Sequence, residues 1–150
     1  MVKIKIHLIL LMQIHKSTLD MNDIVSKKNS KNDEIDNFAL FGNPVSHSKS
    51  PEIYKIFSKE QGVQLQYKLL SVCKNNLTEE IKCFFSLKSS KGANITVPFK
   101  ETAISVCHSL TDRAKVSNSI NVIKKLNNEI LLGDNTDGVG LIYDLKKKNL

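Results

Sequence analysis

The stretch Asn37–Gly62, "NFALFGNPVSHSKSPEIYKIFSKEQG", decides the fold class. It opens with "NFALFG", a short apolar run of strand length. It closes with "SPEIYKIFSKEQG", whose signals are those of a helix. Ser50 is placed as an N-cap, Pro51 at the first helical position, Glu52 in the first turn and Gly62 as the stop. Ile53, Ile56 and Phe57 follow i, i+3, i+4 spacing and predict the inward stripe. Between strand and helix lies "NPVSHSKSP", Asn43–Pro51, with three serines, a histidine and a lysine between two prolines. A strand that feeds a helix through a polar loop is the first half of a β-α-β unit.

The rest of the chain repeats that alternation. "LQYKLLSV" (65–72) predicts a strand, and "LTEEIKCFFSL" (77–87) a helix with Ile81, Phe84 and Phe85 inward. "GANITV" (92–97) is a third strand, stopped by Pro98. A helix is expected through "KETAISVCHSL", then a short helical turn around "TDRAKV". "SINVIKKL" and "EILLG" flank Asn127-Asn128, which suits a two-residue hairpin turn. A last helix starts at Gly138 and runs to the final residue. The order β-α-β-α-β-α-β-β-α predicts an α/β fold: a mainly parallel sheet with helices on both faces and one antiparallel hairpin.

Residues 1–36 differ from this pattern. "IHLILLMQI" (6–14) is apolar and follows lysines, but it lacks a small-residue cleavage site and is too short to span a bilayer. The polar run after it reads as a linker. Residues 1–36 are therefore expected to be an extension outside the fold, with Met21 as an alternative start, and residues 37–150 the folded domain. No C-cap glycine closes the final "LKKKNL", which predicts that the chain is the first part of something longer.

Composition narrows the function. The chain has 150 residues, 41% of them apolar, and a formal charge of +7. That charge is spread out: residues 1–36 hold six lysines against five acids, and lysine outnumbers arginine 21 to 1 over the whole chain. Aromatic side chains are not interleaved with the basic ones, which argues against a nucleic-acid surface. Cys73, Cys83 and Cys107 form no CxxC pair and have no histidine at zinc spacing. They are expected to be buried, reduced thiols in a cytoplasmic protein, with no metal site and no membrane partner.

Four polar clusters recur where strands end: 43–50, 94–100, 117–121 and 133–138. In open α/β sheets ligands bind outside the carboxyl ends of strands, where such loops converge. Ser48 and Ser50 straddle Lys49 and point the same way in an extended segment. They also precede a helix, whose free N–H groups and dipole favour an anion. A carboxylate or phosphate cradle and a simple helix cap with a solvated Ser48 are equally open at this point. Lys100 follows the Pro98 turn; an ordinary lysine is a poor base at neutral pH without desolvation or cationic neighbours. "GDNTDGVG" has the wrong glycine order for a dinucleotide loop, and its two acids would repel a pyrophosphate. It also lacks the ligand set of an EF-hand. Asp137 is either the cap of the last helix or a carboxylate that orients a substrate hydroxyl and pairs with a lysine.

Taken in order, "FGNPVSHSKSP", "KGANITVPFK", "INV" and "LLGDNTDGVGL" resemble the N-terminal substrate-binding domain of the shikimate dehydrogenase family, over about residues 37–150. The resemblance implies reduction of 3-dehydroshikimate to shikimate with NADPH, in the route to aromatic amino acids through chorismate. It implies that Ser48 and Ser50 bind the substrate carboxylate and that Thr96, Asn121 and Asp137 hold the ring hydroxyls. Asn94 would support the loop. Lys100 and Asp137 would be the catalytic pair, and Asp112 would lie near the nicotinamide cofactor. A carboxylate beside Lys100 favours its ammonium form, which suits a proton donor and opposes a base. The coupled pair is best described by apparent values for the two together.

Two departures from the family pattern stand out. Where the family commonly has a small "GA(V/I)NT" segment, this chain has "NSINV" at 118–122, so the backbone near Asn121 is expected to be less favourable. The family's second domain, a Rossmann fold for NADP, has no counterpart in these 150 residues. The chain alone is thus expected to be inactive as a dehydrogenase. The alternatives are a truncated, non-catalytic shikimate-binding module and a quinate/shikimate enzyme of broader specificity. A homodimer is compatible with any of these.

Overall fold

The computed structural model describes residues 35–127 and 129–148. The extension through residue 34, its apolar 6–14 segment and Met21 lie outside the described residues, as do the last two positions of the final helix. Strand β1 (Asp36–Gly42) leads to helix α1 (Ser50–Gln61), and strand β2 (Leu65–Ser71) to helix α2 (Leu77–Ser86). Strand β3 (Ser90–Ile95), strand β4 (Ser109–Leu110) and helix α3 (Asp112–Ser117) follow. Strands β5 (Val122–Lys125) and β6 (Leu131–Asp134) and helix α4 (Asp137–Lys147) complete the order. Residues 35–136 form one compact unit, and α4 belongs to another. Within α4, Asp137 stands in the first turn and Lys146 and Lys147 in the last, which complements its dipole. No helix among the described residues is long and apolar enough to cross a membrane.

The six strands form one sheet in the order β2-β1-β3-β5-β6-β4. The β1–β2, β1–β3 and β4–β6 pairs are parallel. Strand β5 runs against both neighbours, β3 and β6, so the antiparallel hairpin is spliced into the middle of the sheet. Its loop differs from the two-residue turn expected at Asn127-Asn128. The Leu126 N–H donates to Ile130 O at 2.9 Å, leaving a three-residue loop with Glu129 at φ 64°.

Strand alternation assigns the faces. Ala39, Ala93, Ile123 and Gly133 pair in one row across four strands. With Phe41 and Ile95 that face carries the main core, closed by Leu77, Ile81, Phe84 and Phe85 of α2. Phe41 meets Phe84 edge-on at 5.7 Å. Phe38, of opposite parity, lies 6.3 Å from the Tyr54 ring of α1. Helices α1 and α2 therefore cover opposite faces. Lys125 ties the hairpin to this layer by donating to Phe85 O at 2.9 Å and Leu87 O at 3.3 Å, carbonyls at the C-terminal end of α2.

Four local expectations need correction. The N-cap of α1 is Lys49, with no side-chain cap, and Ser50 is the first helical residue. Tyr54 is the buried residue of α1, whereas Ile56 is 57% exposed, so the inward face is turned from the Ile53–Ile56–Phe57 stripe. The helix expected through 100–110 is a 3-10 turn, Thr102–Val106, followed by β4. Ala103 and Val106 both enter the core, and a three-residue spacing is met by three residues per turn. Cys73 and Cys83 are exposed rather than buried. Only Cys107 is partly sheltered, and burial pushes its thiol up to about 12.

Asn118, one of the departures noted above, has a conformational reason. It closes α3 in the left-handed region at φ 45°, ψ 39°, and its N–H reaches Ala114 O and Lys115 O. Glycine is the usual occupant of such a position, and asparagine is among the few side-chain-bearing residues that accept it. The substitution therefore keeps the turn that leads into Asn121.

Candidate functional site

The polar loops that follow β1 and β3 are fastened to each other. Asn43 N–H donates to Val97 O at 3.1 Å, and Thr96 N–H to Phe41 O at 2.9 Å. Asn43 Nδ2 donates to Val72 O at 3.2 Å at the end of β2. Gly42 makes this approach feasible. A Cβ there would stand 2.4 Å from Thr96 Cγ2 and 2.8 Å from Val45 Cγ1.

Beyond Gly42 the chain turns, with Ser48 N–H on Val45 O at 3.0 Å, and delivers two serines to the start of α1. Ser48 Oγ and Ser50 Oγ are 3.0 Å apart, and Ser50 N–H donates to Ser48 Oγ at 3.2 Å. Ser48, two residues upstream, thus supplies the oxygen expected of Ser50 as cap. Both serines are half-buried. Two adjacent hydroxyls at a helix N-terminus, with backbone N–H groups behind them, form an arrangement that suits a carboxylate.

The side chain of Asn94, on β3, is held from three directions. Its Oδ1 accepts from Tyr54 OH at 2.7 Å and Tyr67 OH at 2.8 Å, and its Nδ2 approaches Asn121 O at 3.4 Å. The Tyr54 and Tyr67 rings lie 4.1 Å apart. Burial raises both phenols well above their usual value; at Tyr67 the adjacent Ser50 hydroxyl works against that rise.

Asn121 is 4% exposed, and its backbone joins two strands: Ile95 N–H donates to its carbonyl and its N–H donates to Asp134 O, each at 2.9 Å. Its Oδ1 receives Thr136 N–H at 3.0 Å, and its Nδ2 donates to Thr136 Oγ1 at 3.3 Å. Lys100 is half-buried in the turn after β3, where Ile120 N–H donates to its carbonyl at 2.8 Å. An open cleft of about 240 Å³ lies against it, lined also by Val97, Pro98, Glu101 and Ser119.

The structure thus brings Ser48 and Ser50 together, and links Asn94 to Asn121. Thr96 sits in the fastened loop two residues from Asn94. Asp137 opens α4 in the other unit and follows Thr136 along the chain. Asp112 stands apart: its side chain is 99% exposed at the start of α3, 3.3 Å from Lys115.

An unanticipated ion pair supports the loop around Asn121. Asp134 is 6% exposed and accepts from Arg113 Nε at 2.6 Å, with Arg113 Nη2 on its second oxygen. Thr111 Oγ1 and Asn135 N–H also donate to it, at 2.6 and 2.7 Å. Burial alone would raise the Asp134 carboxyl, but Arg113, Thr111 and Asn135 outweigh burial and hold it below its usual value. A depressed carboxyl contributes stability that is present above its unfolded value, about pH 4, and is lost as pH falls through the folded one. In urea titrations Asp134→Asn is expected to be less stable than the parent at pH 7. It should also lose less further stability on going from about pH 5 to pH 2. A parent-like acid slope in that variant would assign the acid sensitivity to other carboxyls.

Asp134 and Thr136 lie inside the 133–138 cluster that the sequence marks, yet sequence reasoning singles out only Asp137 there. Tyr67 carries a weaker signal: period-2 alternation in "LQYKLLSV" places it on the face of Leu65 and Leu69. Nothing local marks Tyr54 as its partner.

Comparison with known proteins bears on this site. The family model described as the shikimate dehydrogenase substrate binding domain matches residues 40–123. The shikimate dehydrogenase (NADP(+)) of Buchnera aphidicola subsp. Acyrthosiphon pisum (strain APS) is 50% identical over 113 residues, 75% of this chain and 41% of that protein. The protein of the same description from Blochmanniella pennsylvanica (strain BPEN) is 50% identical over 115 residues, 77% of this chain and 39% of that one. Among solved structures, shikimate dehydrogenase from Aquifex aeolicus aligns with a TM-score of 0.72 at 31% identity, over 79% of this chain and 44% of that one. Shikimate 5-dehydrogenase from Thermus thermophilus, in complex with NADP(H) and shikimate, aligns with a TM-score of 0.71 at 26% identity, over 77% and 43% of the two chains. The chain spans about two fifths of the length of the curated relatives it matches.

Proposed function

This chain belongs to the shikimate dehydrogenase family through its substrate-binding domain, and from that premise we propose that it binds shikimate and 3-dehydroshikimate as the substrate-holding part of an NADP-dependent dehydrogenase. The observation that carries the proposal is the Ser48–Ser50 pair at the start of α1, fastened beside the Asn94–Asn121 strand ends. The two hydroxyls hold the substrate carboxylate. Thr96, Asn121 and Asp137 hold ring hydroxyls.

Lys100 and Asp137 are the catalytic pair in this proposal. In the reducing direction the Lys100 ammonium gives a proton to the oxygen of the reacting carbon, and Asp137 favours that charged state. NADPH, when bound, supplies the hydride. The described residues fit only part of such a cofactor. Gly92 and Gly133 are packed within strands and Gly42 is closed in by Thr96, so none of the three offers an open phosphate turn. The exposed Asp112 suits the cationic nicotinamide ring and would repel a pyrophosphate. Most of the NADP site is therefore assigned to residues beyond those described, and the 150-residue chain alone is expected to show no shikimate-dependent NADP+ reduction.

Calorimetric titration tests the proposal. Shikimate should bind saturably, and its methyl ester at least tenfold more weakly, because a hydrogen bond to a charged group contributes about 1.5–3 kcal/mol. Equal binding of acid and ester, or no binding of shikimate, would overturn it. Equal binding of quinate would assign the broader specificity.

A further inference from the structure

The orientation of the Asn94 amide is fixed by its surroundings. Asn121 O is a carbonyl that can only accept, so the Asn94 atom facing it at 3.4 Å is Nδ2. Oδ1 then lies on the opposite side, against the hydroxyls of Tyr54 and Tyr67 at 2.7 and 2.8 Å, and both must donate. Tyr54 is 2% exposed, and stacking at 4.1 Å holds the two rings together. Burial keeps both phenols protonated, hence able to donate, throughout the neutral range. Turning the amide over would forfeit both donated bonds and set Oδ1 against a carbonyl oxygen. The second Nδ2 proton remains as the polar group that Asn94 presents between the serine pair and Asn121.

We propose that Tyr54 and Tyr67 are positioning residues that lock the Asn94 amide as a donor, so that the ligand atom it meets must be an acceptor oxygen. The identity of that ligand rests on the function proposed above; the lock does not. Tyr67 has a second consequence. The Ser50 hydroxyl lies against it, so a carboxylate that draws the Ser50 hydroxyl away acts on the same phenol that holds Asn94. Neither tyrosine touches the reacting carbon in this scheme. Each acts through Asn94.

The test uses Tyr54→Phe and Tyr67→Phe, which keep the rings and remove one donor each. The Asn94 side-chain amide is followed by 15N-edited NMR and shikimate affinity by calorimetry. In the parent the two Nδ2 protons should give one sharp, well-separated pair. In each variant that pair should broaden, collapse or double, with shikimate bound about tenfold more weakly, the fold-change expected for one hydrogen bond. Tyr67→Phe serves as the safer variant, since Tyr67 is only partly buried. An Asn94 amide unchanged in both variants would overturn the lock even if shikimate binds the parent. If the parent fails to bind shikimate while the amide responds to both substitutions, the lock stands and the assigned substrate falls.

Discussion

Replacing Ser48 and Ser50 together by alanine is expected to weaken shikimate binding about a hundredfold while leaving the fold nearly as stable as before. Each hydroxyl that meets a carboxylate contributes about 1.5–3 kcal/mol, so the lower figure for two already corresponds to about a hundredfold. The stability cost is smaller because only one internal contact of consequence is lost, the Ser50 N–H bond to Ser48 Oγ at 3.2 Å. A neutral bond at a helix start is worth about 1 kcal/mol. Titration calorimetry and urea denaturation on the same preparation separate the two quantities. A large loss of stability with unchanged affinity would return the loop to a purely structural role.

Gly42→Val should have the opposite signature. A Cβ at this position meets Thr96 Cγ2 at 2.4 Å, Val45 Cγ1 at 2.8 Å and Val97 O at 3.1 Å. Two of these neighbours are β-branched side chains with little freedom to turn away, and the third is backbone. Overpacking of this kind costs about 1–3 kcal/mol, and two further methyl groups place valine at about 3 kcal/mol or above. The loops that hold Ser48 and Thr96 would part, so affinity should fall together with stability. An unchanged urea midpoint would show that the two loops are not fastened through Gly42.

The fold is largely legible in the sequence because its signals are local. Apolar runs of strand length alternate with helix starts and stops such as Pro51 and Gly62, and β1 to α2 follow that pattern. What local signals miss is governed by distant partners. Strand β4 is two residues long and exists through its pairing with β6. Thr102–Val106 looks helical by composition, but the core draws in Ala103 and Val106 at a three-residue spacing. The face of α1 is set by the Phe38 and Tyr67 rings against Tyr54, contacts that span three elements.

The same division holds for the site. Polar clusters at strand ends and the family motif mark Ser48, Ser50, Asn94, Thr96, Lys100 and Asn121. They do not mark the residues that orient or support them. Tyr54, Tyr67 and Arg113 act across 21 to 40 positions of sequence, and only the folded chain shows which polar atom each one meets.

The central claim is that the loops after β1, β3 and β5 form a shikimate site. It is tested most directly by recording amide 1H–15N shifts of the labelled chain as shikimate is added. Saturable shifts are predicted at Ser48, Ser50, Asn94, Thr96, Lys100 and Asn121, all fitting one dissociation constant. Shifts that do not saturate, or that saturate only on the outer surface of α2, would contradict it.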